Sequence, residues 1–537
     1  MRICLISPVL ARALEDLGHE VTVFWPTQTA VFDLAAALEE RRFTPDLILQ
    51  EEFLGARVLL TGLEHFSCPK VFWSLDTHLN SHWHRWYACC FDGVVTPHVH
   101  LWSQFPWPRP PLGRLAFPGV DRPWTPHAGR RNDVSFVGRI TPERPRRAWL
   151  AEFLTARCRA RIEQDLTFPA MLDLYADTRL APNEAIQAEM NFRVTEAASC
   201  GCLVLSQNIG PDQDALFEPG KEVAIYEHVL ELQVLLDQFR RFPRPAETIA
   251  RAGWRRVQAS HLPRHRAAEL LRFVETLPAA SAPVMHRDLA WQLARWELVR
   301  GKRQPGSLHQ EAAALTAHAE HPEALAALLE TQHLLQRPQE ALQLAVEIIR
   351  HPVLSRHVPL AAACSVLGLY QNQFEFARQC LLLQGETRRP ETPLALLQAW
   401  AAQLSRIGLT ALPGRLFQPH LHLPASAADC LFLAMELSPH DVETSRRLES
   451  LLAACGGWEH IRLGLLSDIS LRKRDDWRTG LALALANLRA FRFSQGLEEA
   501  ALALHSARSQ GKEGQFARRL EALDPSGSIA KTLASIL

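Results

Sequence analysis

The chain has 537 residues, which is too long for one compact core and predicts roughly three or four domain-sized units. Hydrophobic residues make up 47% and charged residues 22%, values that exclude a disordered or collagen-like chain. The 58 basic residues balance the 58 acidic ones, so the basic excess expected of a general nucleic-acid-binding protein is absent.

No apolar run approaches the roughly 20 residues that cross a bilayer, and the apolar start is too short for a signal peptide. We therefore expect no transmembrane segment and a cytoplasmic protein. The 11 cysteines form no CxxC pair, which favours buried free thiols in a reducing compartment. The 23 histidines show no HExxH or other ligand spacing, so the sequence predicts no metal site.

The first 125 residues alternate apolar runs with helical patterns, which indicates βαβ units and a parallel sheet. Strands are predicted at Met1–Ser7, Glu20–Trp25, Asp46–Gln50, Lys70–Leu75 and Phe91–Val95. Helices are predicted at Pro8–Leu17 and Val31–Arg42. The proline-rich segment Phe105–Arg130 shows little periodicity and is predicted to link two domains.

After this segment the alternation of strands and helices begins again. Strands are predicted at Asp133–Val137, Arg179–Pro182, Cys202–Ser206 and Glu222–Tyr226. Helices are predicted at Pro145–Ala156, Phe192–Cys200, Val229–Phe242, Ala246–Ser260 and Leu262–Leu277. The pattern predicts a Rossmann-like domain at 126–280 that follows an earlier one at 1–125.

Beyond Pro283 only helical periodicity remains, so the fold class is α/β followed by all-α. A similar sequence begins two predicted helices, one containing Ala341 and one containing Ala377, which are 36 residues apart, and it occurs again near Gln495. This spacing is typical of tetratricopeptide (TPR) repeats, which stack into a solenoid. We predict a TPR-like domain at 281–537, with another kind of helical bundle as the alternative.

The segment that starts at Asn191 carries the sharpest chemical pattern. Arg193 lies in the first turn of a predicted helix, where the macrodipole favours an anion such as phosphate. Glu196 lies on the same helix face and could accept hydrogen bonds from two ribose hydroxyls. The alternative is an ion pair of these two residues on a solvated face. Gly201 would end the helix with a positive φ.

Further candidates follow two predicted strands. Gly138 would let the backbone approach a ligand, and Arg139 would project from the carboxyl edge of the sheet, where open α/β sheets bind ligands. Asn183 lies on the same predicted edge. A solvated basic turn is the alternative for Arg139 and the arginines that follow it.

Five ordered segments resemble the nucleotide-sugar-binding half of GT-B glycosyltransferases, and most of all the spore-maturation CgeB-like group. They are D-V-S-F-V-G at 133–138, R-L-A-P-N at 179–183, N-F-R-x-x-E-A-x-x-C-G at 191–201, F-E-P-G-K-E-V-A-I-Y at 217–226 and H-L-P-R-H-R at 261–266. The resemblance implies transfer of a sugar from a nucleoside diphosphate donor, without metal or further cofactor, in a cleft between two Rossmann-like domains.

The resemblance also implies residue roles. It places the donor ribose at Glu196 and the diphosphate at Arg139 and Arg193. In CgeB-like chains an Asp-Thr pair follows the strand that ends near Trp73, which makes Asp76 and His78 the candidates for the catalytic base. Helix capping is the alternative for Asp76.

The chain departs from the family pattern in three places. Ala188 stands where a second glutamate is common, the glycine-rich loop after the first strand is missing, and the first domain is short. The D-x-D at Asp212 and Asp214 is interpreted as the first turn of a short helix rather than a magnesium site.

The leading hypothesis is a glycosyltransferase whose helical region binds a protein acceptor, flagellin being one example. A lipid-linked or polysaccharide acceptor is the first alternative, with the helical region serving docking or homo-oligomerisation. An inactive GT-B and TPR scaffold is the second alternative.

Overall fold

The computed structural model describes residues 1–53, 55–103, 110–142, 144–278, 285–455 and 458–536. The chain divides into two compact units, and each unit is built from two segments. The first unit contains Met1–Ala116 and Arg266–Leu448, and the second contains Phe117–His265 and Glu449–Leu537. The predicted domains 1–125, 126–280 and 281–537 do not coincide with these units, because the helical region is divided between them.

The strands of the described residues belong to three sheets in which all the strand pairs are parallel. They are β1 (Arg2–Ile6), β2 (Glu20–Phe24), β3 (Val31–Asp33), β4 (Leu47–Glu51), β5 (Leu59–Thr61), β6 (Lys70–Trp73), β7 (Gly93–Thr96), β8 (Leu112–Arg114), β9 (Asn132–Val137), β10 (Arg161–Glu163), β11 (Thr178–Asn183), β12 (Leu203–Gln207) and β13 (Ala224–Tyr226).

The α-helices up to the end of the second α/β region are α1 (Ala11–Asp16), α2 (Leu34–Glu40), α3 (Thr77–Tyr87), α4 (Val99–Ser103), α5 (Pro145–Cys158), α6 (Phe168–Ala176), α7 (Phe192–Ser199), α8 (Pro211–Asp214), α9 (Val229–Arg241), α10 (Pro243–Ser260) and α11 (Pro263–Glu275).

The helical region contains α12 (Arg287–Arg300), α13 (Leu308–Thr316), α14 (Pro322–Leu334), α15 (Pro338–Arg350), α16 (Val358–Tyr370), α17 (Phe374–Leu382), α18 (Pro393–Arg406), α19 (Ala427–Leu437), α20 (Val442–Cys455), α21 (Glu459–Arg472), α22 (Trp477–Arg489), α23 (Phe493–Ser509), α24 (Glu513–Leu523) and α25 (Ser528–Ile536).

The first unit contains a six-stranded parallel sheet in the order β2-β1-β4-β6-β7-β8. The buried runs that predicted strands are confirmed at all five positions of this half. The chain returns to this sheet through α11, where the Phe273 ring lies against Gly93 and Gly113, and through α12, where Trp291 donates a hydrogen bond of 2.8 Å to the Leu60 carbonyl. The side chains of α12 therefore belong to the core of this sheet.

Two predictions in the first half are corrected. The predicted helix Val31–Arg42 begins at Leu34, because Val31 and Phe32 pair with Leu59 and Leu60 as a small sheet, β3-β5. β-Branched and aromatic residues favour such pairing over a helix. The predicted linker Phe105–Arg130 contains strand β8, which pairs with β7 at the edge of the sheet. Residues 104–109 of that linker lie outside the described residues.

The second unit contains a five-stranded parallel sheet in the order β10-β9-β11-β12-β13. Its predicted strands are confirmed, and the short β10 and the helix α6 were not predicted. One buried core joins this sheet to the last helices of the chain: Val134, Leu205 and Leu236 share a cluster with Leu488 and Phe516. The end of the helical region is thus part of the same folded unit as the second sheet.

The described residues after Met285 contain helices and no strand, as predicted. Two tryptophans mark a regular spacing among the helices of the first unit. Trp296 donates to the Thr331 hydroxyl and Trp400 to the Ser365 hydroxyl, each across 2.8 Å and each between residues 35 positions apart. The described part of the chain contains no helix that is long and apolar enough to cross a membrane.

Candidate functional site

The carboxyl edge of the second sheet brings three predicted site residues together. Arg193, on α7, donates from Nε to the Val137 carbonyl at 2.9 Å and from Nη1 to Oδ1 of Asn183 at 2.8 Å. Asn183 is fully buried at the end of β11, and its amide donates to the Ser206 hydroxyl on β12. Arg193 therefore ties the ends of β9 and β11 together and has a structural role at this edge.

Gly138 occupies a position where a side chain would not fit. A Cβ there would lie 2.7 Å from Nη2 of Arg193 and 3.1 Å from the Phe136 ring, over which the guanidinium stacks at 4.6 Å. Because hydrogen bonds hold Arg193, the guanidinium cannot move away freely. The absence of a side chain at Gly138 keeps this end of β9 open.

Glu196 lies one turn after Arg193 on α7. Burial raises the pKa of the Glu196 carboxyl to about 7, and Arg193 opposes that rise. Its carboxylate has no hydrogen-bond partner among the described residues. Arg193 and Glu196, which the sequence offered alternatively as an ion pair, form none within 4 Å, and Arg193 acts on Glu196 only through its charge. A half-buried carboxylate without a protein donor is available to a ligand.

Arg139 lies apart from this group. Its side chain is 70% exposed and approaches Asp165 at 3.5 Å. It is free to turn toward an anion, but the structure does not hold it at the edge as it holds Arg193.

The basic turn that opens α5 is satisfied by the protein. Arg147 donates from Nε to the buried Glu184 at 2.9 Å. Arg146 donates to Gln207 at 2.9 Å and lies 3.3 Å from Glu459, which belongs to the last helices. Arg146 and Arg147 are buried and therefore do not form the solvated basic turn that was the alternative for them, and carboxylate and amide oxygens of the same unit offset their charge. Glu184 and Glu459 carried no sequence signal of this role.

The two cysteine pairs and the D-x-D segment fit their predicted structural roles. Cys89, Cys90, Cys200 and Cys202 are free and buried. Asp212 and Asp214 lie in the four-residue helix α8, as predicted. Gly201 follows α7 with φ 75°, the helix stop that the sequence predicts.

The carboxyl edge of the first sheet carries the predicted catalytic residues. Asp76 precedes α3 but makes no capping hydrogen bond with its side chain. Its backbone amide donates to Oε2 of Glu52 at 2.7 Å, and His84 approaches Oε1 of Glu52 at 3.1 Å. Burial alone would raise the pKa of Glu52, but His84 and the amides of Asp76 and Leu75 hold it below the usual range. Glu52 thus fixes the backbone at Leu75 and Asp76, directly before α3.

His78 is buried, with 1% exposure, and its ring meets His98 edge-on at 5.4 Å. Asp76 is half-buried, so it is the more accessible group of the two.

Sequence reasoning missed Glu51 at this edge. Burial raises the pKa of Glu51 to about 7, the Ser7 hydroxyl lowers it by donating to the carboxylate, and Glu52 raises it. Ser7 takes a φ of 142° directly after β1, at the position where a glycine-rich loop is missing. A carboxylate that titrates near neutral pH can act as a general base.

The helices of the first unit enclose the segment 407–426, which joins α18 to α19. Arg415 of this segment pairs with the buried Glu297 of α12 at 3.3 Å and Glu330 of α14 at 2.9 Å. Burial would raise the pKa of Glu297, but Arg415 and Arg300 hold it at about 2. A cavity of about 440 Å³ remains beside the segment, lined by aromatic, aliphatic and charged residues such as Trp86, Trp296, Glu323, Arg356 and His357.

Residues 122–272 match the family of proteins described as glycosyl transferase-like. The matched region contains β9 to β13 and the candidate donor residues. Among curated proteins, none matches this chain significantly.

Several solved structures resemble part of the chain at low identity. Sucrose-phosphate synthase (tll1590) from Thermosynechococcus elongatus aligns with 52% of this chain and 100% of its own, at 13% identity and TM-score 0.40. A glycosyltransferase from Rickettsia africae ESF-5 aligns with 51% of this chain and 98% of its own, at 11% identity and TM-score 0.38. The GtfA/B complex aligns with 45% of this chain and 59% of its own, at 11% identity and TM-score 0.33. At these TM-scores we infer neither the fold nor the substrate of this chain from them.

Proposed function

We propose that this chain is a glycosyltransferase that moves a sugar from a nucleoside diphosphate sugar to an acceptor hydroxyl. The observation that carries the proposal is the glycosyl transferase-like match over residues 122–272, which spans the strand ends where Gly138, Asn183 and Arg193 meet. Open α/β sheets bind ligands at this edge.

In this proposal Glu196 binds the donor ribose. Its carboxylate has no protein donor, so two ribose hydroxyls could donate to it, and the ionised form would be the stronger acceptor. The leaving diphosphate would be stabilised by the exposed Arg139 and the first turn of α7 near Arg193, without metal at this site.

The acceptor hydroxyl would lose its proton to a carboxylate of the first unit. Asp76 is half-buried and its amide donates to Glu52, and burial raises the pKa of Glu51 to about 7. We assign the base to Glu51 or Asp76 in preference to His78, whose ring is buried.

Calorimetry with nucleoside diphosphates and their sugars tests the donor site. Glu196→Gln should weaken donor binding at least about tenfold, because a hydrogen bond to a charged group contributes roughly 1.5–3 kcal/mol. Glu513→Gln is the matched control, since Glu513 lies outside the matched region 122–272 and its exposed side chain pairs with Arg508 at the surface. Equal donor affinity in wild type and Glu196→Gln would contradict the assignment.

We further propose a protein acceptor that the TPR-like helices of the first unit bind. Support comes from the 35-residue spacing of the Trp296 and Trp400 contacts, which is typical of repeats that bind proteins. Because Arg415 fastens the segment 407–426 between the helices, we propose that only a short segment of the acceptor enters the remaining cavity of about 440 Å³. A labelled donor incubated with cell extract should label the protein fraction, whereas label in lipid or polysaccharide would support the other acceptors.

A further inference from the structure

Three side chains that can each bind a metal ion lie close together where the second sheet joins the last helices. His228 precedes α9 directly after β13, Glu231 lies in the first turn of α9, and Asp524 follows α24. His228 Nε2 lies 3.6 Å from Oδ1 of Asp524 and 4.0 Å from Oε1 of Glu231. One ligand atom of each residue lies within 4.8 Å of the other two.

The His228 ring is buried without a hydrogen bond. Its side chain is 1% exposed, and neither ring nitrogen has a hydrogen-bond partner among the described residues. A buried polar atom without a partner costs roughly 1–3 kcal/mol. Nε2 nevertheless points at two carboxylates, which indicates that the cluster receives a further group.

Backbone amides fix both carboxylates in place. Glu227 donates its amide to Oε2 of Glu231 at 2.6 Å, and Oε1 is left on the side of His228. Ile529 donates its amide to Oδ2 of Asp524 at 2.7 Å, while Oδ1 lies on the side of His228 and accepts the Ser526 hydroxyl. Outer partners of this kind orient the ligands of metal sites.

We infer that His228, Glu231 and Asp524 bind one Zn²⁺ ion. In a tetrahedral zinc site with bonds of about 2.0–2.1 Å, neighbouring ligand atoms lie about 3.3 Å apart. The separations of 3.6 and 4.0 Å exceed this value by about 0.3 and 0.7 Å, and the two carboxylates lie within 4.8 Å of each other, so the ion would draw the three side chains closer together. Glu231 is 17% exposed, whereas the other two side chains are buried, so the ion and a water ligand would enter from its side.

The ion would fasten the start of α9 to the junction of α24 and α25. Asp524 lies almost 300 residues after His228 and Glu231, so the complete ligand set has no spacing that could be recognised in the sequence. This inference does not depend on sugar transfer, because none of the three residues belongs to the candidate donor group.

The test uses the full-length, untagged chain, treated with EDTA and then freed of chelator. Titration with Zn²⁺ should show one ion bound per chain and a rise in the unfolding temperature. Substitution with Co²⁺ should give the visible absorption of a four-coordinate site.

Glu231→Gln should weaken Zn²⁺ binding at least tenfold, since it removes a charged ligand. The glutamine oxygen can still accept the Glu227 amide, so the fold should be kept, and circular dichroism checks this. Glu436→Gln is the matched control: His420 Nε2 lies 3.2 Å from Glu436 on the surface, and no third ligand joins this pair among the described residues.

Two results would overturn the inference. One is a wild-type chain that binds no Zn²⁺ in a stoichiometric titration. The other is a Glu231→Gln or His228→Ala chain that is folded and binds Zn²⁺ as tightly as wild type.

Discussion

Leu488 tests whether the last helices fold with the second sheet. It is fully buried on α22, in the cluster that also contains Val134 of β9 and Leu205 of β12. Leu488→Ala deletes buried methyl groups and should cost about 2–5 kcal/mol, the range for buried leucines. If α22 and the sheet unfold as one cooperative unit, the loss in free energy of unfolding should be the same for the strands as for α22.

Hydrogen exchange measured by mass spectrometry shows which elements lose stability in the variant. At 1.4 kcal/mol per tenfold, a loss of 2 kcal/mol makes exchange through global opening about thirty times faster. The amides of β12 should show this acceleration in Leu488→Ala. Leu367→Ala is the matched control, because Leu367 is fully buried on α16 of the first unit. It should leave the β12 amides unchanged.

The reasoning would be refuted by one clear pattern. If Leu488→Ala accelerates the amides of α22 and α23 while β12 exchanges at the wild-type rate, the last helices form a folding unit of their own. The predicted boundary near residue 280 would then describe a true domain border.

Two further predictions concern the donor edge. Folding raises the pKa of Glu196 from the ordinary 4.5 to about 7, so the folded state binds the proton more tightly and the free energy of unfolding falls as the pH rises through that window. Measured by urea unfolding, the stability of Glu196→Gln relative to wild type should be about 2 kcal/mol greater at pH 8 than at pH 5. An equal difference at both pH values would contradict the shift. Gly138→Ala should lower the free energy of unfolding by about 1–3 kcal/mol in the same assay, because its Cβ would meet Arg193 and Phe136. Gly464→Ala is the control, since its Cβ would have open space, and it should leave stability unchanged or raise it. An equal loss of stability in both variants would exclude crowding as the cause.

Much of the carboxyl edge of the second sheet, the candidate donor site, could be predicted from the sequence. Gly138 and Asn183 each follow a buried apolar run, and parallel strands put their carboxyl ends on one edge, so their proximity to each other could be predicted. What the sequence could not give is the direction of the Arg193 side chain. Its guanidinium bonds to Asn183 and the Val137 carbonyl, and only the packed helix shows this.

The first unit shows the opposite case. Glu51 ends β4 and Glu52 follows it, without any motif. Their properties arise from distant partners, Ser7 for Glu51 and His84 for Glu52. Burial and long-range pairing decide both pKa directions, and neither is encoded in local spacing. Strands of three residues, such as β3 and β5, are likewise stabilised by each other and have no helix-excluding pattern of their own.

The division of the helical region changes how its role should be understood. Helices α12 to α19 belong with the first sheet, and α21 to α25 belong with the second. Arg146 opens α5 at the donor edge and bonds to Gln207, Glu459 and the Arg489 carbonyl, so the last helices help to position that edge. Under the proposed function, removal of the whole helical region should therefore disturb donor binding as well as acceptor binding. In that proposal, substitutions in the cavity of about 440 Å³ should affect acceptor binding and leave donor binding unchanged, because the described residues that line the cavity belong to the first unit.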